Sequence, residues 1–140
     1  SSTTGYTEDL GTLTLTANST IDLGSSATTR NLVFDASNAI TWTSGQKLII
    51  TNWQGTTNAG TYGRIYFGSD SSGLTSGQLG QINFNMGGTL YGARILSTGE
   101  LVLGDIAPIP EPGVFVAAAG LVFFVTWRER RRLAAVMRWR

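Results

Sequence analysis

Cysteine and histidine are both absent from these 140 residues, proline occurs three times, and charged side chains make up only 14%. Each scarcity excludes something. Without histidine or cysteine, neither a Ser-His-Asp nor a Cys-His nucleophile pair can be assembled, and the usual zinc ligand sets are missing as well. Without cysteine no disulfide frames the fold, so stability has to come from burial and stacking. No charged n-region with an apolar stretch follows Ser1. For an exported chain, that leaves a signal peptide already removed or lying upstream of a truncated sequence.

The composition changes sharply along the chain. Residues 1–112 are dominated by Thr, Ser, Gly and Asn, and carry four basic residues (Arg30, Lys47, Arg64, Arg94) against eight acids, a net charge of −4. Such a surface makes binding to nucleic acid or other polyanions unfavourable. In residues 128–140, Arg128, Arg130, Arg131, Arg132, Arg138 and Arg140 stand against Glu129, a net charge of +5.

Between these halves lie Pro110, Glu111 and Pro112, then an uninterrupted apolar run over 114–127. Fourteen residues rise about 21 Å as a helix, short of the roughly 30 Å hydrocarbon core. Trp127 at the interface, Arg128 snorkelling to the headgroups and local bilayer thinning make a short span acceptable. A buried core helix is the alternative for so short a run. The arginines behind the run place its far end in the cytoplasm and residues 1–112 outside. A solvated basic helix or a nucleic-acid patch is the plain reading of the arginines themselves, and a hydrophobic span joined directly to them argues against nucleic acid. The extension Leu133 to Trp139 could lie on the inner leaflet with Arg138 and Arg140 outward.

This order resembles the PEP-CTERM sorting signal of exported bacterial proteins over about residues 108–132. The resemblance implies that Pro110-Glu111-Pro112 marks the processing region for an exosortase-type membrane protease. It also implies that Arg128, Arg130, Arg131 and Arg132 form a cytoplasmic retention cluster. Family tails commonly stop soon after the basic cluster, whereas this sequence continues to Arg140.

Upstream, apolar-x-apolar triplets recur at Leu13/Leu15, Leu32/Phe34, Leu48/Ile50, Ile65/Phe67, Ile82/Phe84 and Leu101/Leu103, at spacings of 19, 16, 17, 17 and 19 residues. Ile21/Leu23 and Ile40/Trp42 fall between the early ones. Each triplet alternates with period two, and Gly24-Ser25-Ser26, Ser44-Gly45, Asn58-Ala59-Gly60 and Gly87-Gly88 supply turns. Stacked coils would bury one continuous apolar stripe, so the pattern predicts an all-β domain, a parallel β-helix or solenoid. An antiparallel β-sandwich fits the same short strands. Over 72–82, Leu74, Gln78, Leu79 and Ile82 sit at helical spacing with Thr75 or Ser76 as cap, which predicts one short helix.

From about Leu48 onward the chain is also similar to the C-terminal part of autotransporter-like β-solenoid proteins that carry this tail. The similarity rests on Leu48-Ile49-Ile50-Thr51-Asn52-Trp53-Gln54-Gly55, Ile65-Tyr66-Phe67-Gly68, Gly73-Leu74-Thr75, Gln78-Leu79, Gln81-Ile82 and Ile95-Leu96-Ser97-Thr98-Gly99-Glu100. It implies a surface or secreted structural role, in which the segment often closes a longer solenoid.

Carboxylates alone can cleave polysaccharides, so Asp22, Asp35, Asp70, Glu100 and Asp105 are the acids to consider. Their spacing follows turns and strand ends, where a solvated charge is the default. Asp70-Ser71-Ser72-Gly73 has one acid, too few for a calcium loop. Gly60-Thr61-Tyr62-Gly63 and Gly77-Gln78-Leu79-Gly80 lack the strand-to-helix context of a phosphate cradle. Among the aromatics, Trp42 is in phase with Ile40 and predicted to be core. Trp53 near a glycine turn and Tyr66 out of phase with Ile65 and Phe67 are predicted to be exposed and available to a glycan.

The expected organisation is a β ectodomain over 1–107, a linker and processing motif over 108–113, a transmembrane helix over 114–127 and an arginine-rich tail over 128–140. The expected role is a non-enzymatic exported structural protein needing no cofactor. Its partners would be the processing protease, the bilayer during sorting and extracellular polysaccharide, with no nucleic acid. A carbohydrate-binding adhesin is the alternative, and a β-helix polysaccharide-degrading enzyme the third reading.

Overall fold

The computed structural model of the chain describes residues 5–25 and 27–104. The described residues belong to one compact unit, Ser1–Ile109. The span expected over 114–127, the Pro110-Glu111-Pro112 motif and the arginine cluster lie outside the described residues. Among the described residues no helix is long and apolar enough to cross a membrane.

The described part is mostly β. Its strands are β1 (Tyr6–Leu10), β2 (Ser19–Asp22), β3 (Arg30–Phe34), β4 (Leu48–Thr51), β5 (Gly55–Thr56), β6 (Ala59–Gly60), β7 (Gly63–Phe67), β8 (Ile82–Met86), β9 (Thr89–Ile95) and β10 (Glu100–Leu103). A single helix, α1 (Ser76–Leu79), precedes β8. Eight strands form one curled sheet in the order β1-β3-β7-β10-β9-β8-β4-β2, and β5 and β6 make a separate hairpin. β1, β3 and β7 are mutually parallel, as are β2, β4 and β8. The chain thus alternates between two wings. β9 and β10 then join the wings with antiparallel bonds to β8, to each other and to β7. Parallel wings are not what an antiparallel sandwich requires. The triplet spacing was compatible with both arrangements because strand direction leaves no mark on period-two alternation.

Register explains why the apolar triplets recur. Ile21 stands beside Ile50 and Ile50 beside Phe84 in one wing. Leu10 stands beside Phe34 and Phe34 beside Phe67 in the other. Partners are therefore every second strand-forming triplet along the chain, and like side chains stack in ladders. The Phe34 and Phe67 rings lie parallel at 4.9 Å. Ile50, Ile65, Phe67, Ile82, Phe84 and Leu101 are at most 1% exposed and belong to one core. Each such side chain contributes about 1.5–3 kcal/mol of burial.

Two triplets bury their side chains without forming strands. Leu15 and Trp42 are core residues, as the phase of Trp42 predicted, yet Leu13/Leu15 and Ile40/Trp42 lie in connecting segments. Specific hydrogen bonds replace ladder pairing there. The Trp42 indole N–H donates to Leu13 O at 2.8 Å, Leu13 N–H donates to Ser37 Oγ at 2.9 Å and Thr43 N–H donates to Leu15 O at 2.8 Å.

The short helix stands where its spacing predicts. Thr75 is the N-cap, with its Oγ1 accepting from Gln78 N–H, while Gln78 Oε1 accepts from Thr75 N–H at 2.8 Å, a reciprocal capping box. Gln78 is buried, and its Nε2 donates to Ser37 O and Ile40 O at 2.8 and 2.9 Å. The helix thereby fastens one connecting segment to the backbone of the previous one. Gly87 and Gly88, both at positive φ (63° and 93°), close the β8–β9 hairpin as a two-residue primed turn demands.

Candidate functional site

The best-defined polar cluster is built on β7. Alternation turns Ile65 and Phe67 into the core, so Arg64 and Tyr66 face outward and are half-buried. The parallel register places Asn31 and then Thr7 beside Arg64, and Val33 and then Asp9 beside Tyr66. Asn31 Nδ2 donates to Thr7 Oγ1 at 3.3 Å. The outcome is a ledge crossing three strands, carrying one phenol ring, one guanidinium, one amide and one exposed carboxylate.

Arg64 is held in place from several sides. Its Nε donates to Gly60 O at 3.0 Å, its Nη1 reaches Tyr66 Oη at 3.4 Å, and Nε lies 3.8 Å from Glu100 Oε1. The Tyr66 hydroxyl contact first, and the charge of Glu100 after it, raise the guanidinium above its ordinary value against a desolvation effect that lowers it. Arg64 is therefore a permanent cation. Glu100 is 4% exposed, and Gly60 N–H donates to its Oε1 at 2.7 Å. On the far side, Arg94 Nη2 contacts Thr57 O and Asn58 Oδ1. Glu100, Arg64 and Arg94 together clamp the β5–β6 hairpin to the sheet.

Trp53, expected at the surface as a glycan contact, is a correction: it is 2% exposed and packs tilted against Phe84 with ring centroids 4.9 Å apart. The cause is Asn52, whose left-handed backbone (φ 56°) breaks the alternation after β4 and returns the next side chain to the core. Asparagine tolerates that conformation better than most residues. Tyr66 keeps its outward position on the ledge.

The acids are spread over turns. Asp22 Oδ1 accepts from Asn52 Nδ2 at 2.7 Å and Gly24 N–H at 2.8 Å, and these bonds, Asn52 foremost, hold it below the ordinary aspartate value. Asp70 Oδ1 accepts from the Ser72 hydroxyl and backbone N–H, with the same direction of shift. Both carboxylates favour the folded state above the ordinary aspartate range and stop doing so as acidification passes through their lowered values. Asp70 is thus used to build a turn. Asp35 is exposed, and Asp105 lies outside the described residues. Among the described residues no three His, Cys, Asp or Glu side chains gather to hold a metal ion.

The Glu100 clamp was not foreseen. Glu100 reads in sequence as a charge at a strand start, and nothing near it announces that residues 55–60 fold back over it. The sorting residues Pro110, Glu111 and Pro112, with Arg128, Arg130, Arg131 and Arg132, lie outside the described residues. No protein-family model, curated protein or solved structure matches this chain.

Proposed function

We propose that this chain is an exported cell-surface or extracellular-matrix protein, and that its segment of about 108–132 is a PEP-CTERM-type sorting signal processed by an exosortase-type membrane protease. The observation that carries the reading is the order Pro110-Glu111-Pro112, apolar run, arginine cluster. A processing protease needs extended backbone, and proline pairs disfavour helix and keep the peptide extended. In this reading the apolar run stalls translocation, the arginines hold the cytoplasmic end, and cutting near Pro110-Glu111-Pro112 releases the β domain.

The β domain itself is proposed to be a short β-solenoid with a structural role. In-register ladders along β1-β3-β7 and β2-β4-β8, with the chain passing alternately between the wings, support that architecture. A carbohydrate-binding adhesin is the second reading, favoured by the half-buried Tyr66 beside Arg64 and Asn31 on the outer ledge.

The deciding experiment is the intact mass of the protein recovered from its native cell surface or medium. The expected mass ends at or near residues 110–112. A full-length, membrane-bound form would mean that the apolar run is a permanent anchor and that the motif is not a processing signal.

A further inference from the structure

Hydrogen bonds within the outer ledge use its acceptors and leave its donors. Arg64 Nη1 donates to Tyr66 Oη and Asn31 Nδ2 donates to Thr7 Oγ1, so each hydroxyl accepts from the protein and keeps its own proton to give. Neither proton has an acceptor among the described residues. Arg64 Nη2 has none there either, because the bonds of that guanidinium run from Nε and Nη1. Asn31 Oδ1, an acceptor without a partner among the described residues, is buried and beyond a ligand's reach.

The arrangement is fixed before any ligand arrives. Arg64 is tied to Gly60 O and lies beside the buried Glu100, and the β5–β6 hairpin, packed on β10 and β7, walls that side of the ledge. A donor already held in place loses little freedom on binding, so more of its interaction appears as affinity.

We propose that the ledge binds a glycan through one isolated acidic sugar, whose carboxylate or sulfate sits on Arg64 and the Tyr66 hydroxyl while a neutral neighbour lies along the Tyr66 ring. The proposal rests on the carbohydrate-binding reading of this ledge and names the class of sugar. Two observations limit the ligand to a single charge. Arg64 is the one cation on the ledge, and Asp9, two strands away in the row of Tyr66, stands about 10 Å off, where a second acidic sugar would meet it. The hydroxyls of a neutral sugar suit Asp9 instead. The net charge of −4 over residues 1–112 likewise turns away a uniformly charged polymer.

The test is calorimetric titration of the full-length chain, kept in mild detergent, with a neutral xylo-oligosaccharide, the same oligosaccharide carrying one glucuronate or one sulfate, and polygalacturonate. A singly acidic oligosaccharide is expected to bind at least about tenfold tighter than the neutral one and tighter than polygalacturonate, and the better of glucuronate and sulfate names the acidic group. Arg64→Gln is expected to remove that tenfold preference. Tyr66→Phe keeps the ring and leaves the hairpin clamp untouched, and is expected to weaken binding about fivefold. Arg94→Gln loosens the hairpin from its other side without touching the ledge and is expected to change nothing, with circular dichroism checking that each variant is folded. Equal binding of neutral and acidic oligosaccharides, lost in Tyr66→Ala, overturns the acidic sugar and leaves the carbohydrate reading standing. Binding of none of them overturns both. Tighter binding of polygalacturonate overturns the single charge, and a loss in Arg94→Gln equal to that in Arg64→Gln moves the effect from the ledge to the hairpin and overturns the site.

Discussion

Replacing Trp53 with alanine lowers the free energy of unfolding by about 3–5 kcal/mol, the range expected for deleting a large buried aromatic. The expectation follows from an exposure of 2%, from the 4.9 Å contact with Phe84, and from a surrounding core whose members are almost all fully buried. The ring is closely packed, since a side-chain atom added at Gly55 would meet both the Trp53 ring and Ala59 O. Urea unfolding measures the effect as a lower midpoint at unchanged slope. Trp53→Phe separates packing from the indole N–H, which is buried without a hydrogen-bond partner among the described residues. It retains a ring against Phe84 and removes the unsatisfied donor, so it costs less than about 1.5 kcal/mol. If Trp53→Ala instead loses under about 1 kcal/mol, Trp53 is not a core residue and the glycan contact first expected of it regains its standing.

The second large effect is on processing. Replacing Pro110 and Pro112 together with alanine removes the restriction on the backbone and lets residues around Glu111 join the helix proposed for 114–127. Membrane insertion is unaffected, because the apolar run and the arginines are unchanged. Cleavage is expected to be abolished, so that a membrane-bound full-length form accumulates where the parent yields a released one. Mass spectrometry and cell fractionation read the two arms together. Normal cleavage of the variant removes the role proposed for the motif, whereas loss of insertion means that the prolines act on the span instead.

Much of the fold is visible in local patterns. The Leu48/Ile50, Ile65/Phe67 and Ile82/Phe84 triplets are strands with the expected residues inside, and Thr75 caps the expected helix. Such features depend on period and on neighbours three residues away, which a sequence displays. Strand partnership does not. Leu32 pairs with Ile65, not with the nearer Leu48, because the chain crosses to the other wing between them, and no local signal records that crossing. The same limit hides β1, which carries no apolar-x-apolar triplet and is shown as a strand only by its register with β3. Trp53 was misplaced for a different reason. One left-handed residue shifts the phase of everything after it, and asparagine adopts that conformation too seldom for its presence to announce the shift. Glu100 shares the first of these problems, since its partner Gly60 is far off in sequence and unremarkable in type.

The alternation between wings also sets the order in which the fold can form. Every parallel pair joins strands separated by a crossing to the other wing and back, so each must close a long loop before gaining its first contact. The β8–β9 pair needs only the turn at Gly87 and Gly88, a closure that takes microseconds. Structure therefore grows from the late part of the described chain toward Tyr6, against the direction of synthesis, as pulse-labelled hydrogen exchange reads through earlier protection of β8 and β9. A chain threaded through a membrane with its first strands leading would stay extended and pliable until the hairpin that starts the zipper has followed it across.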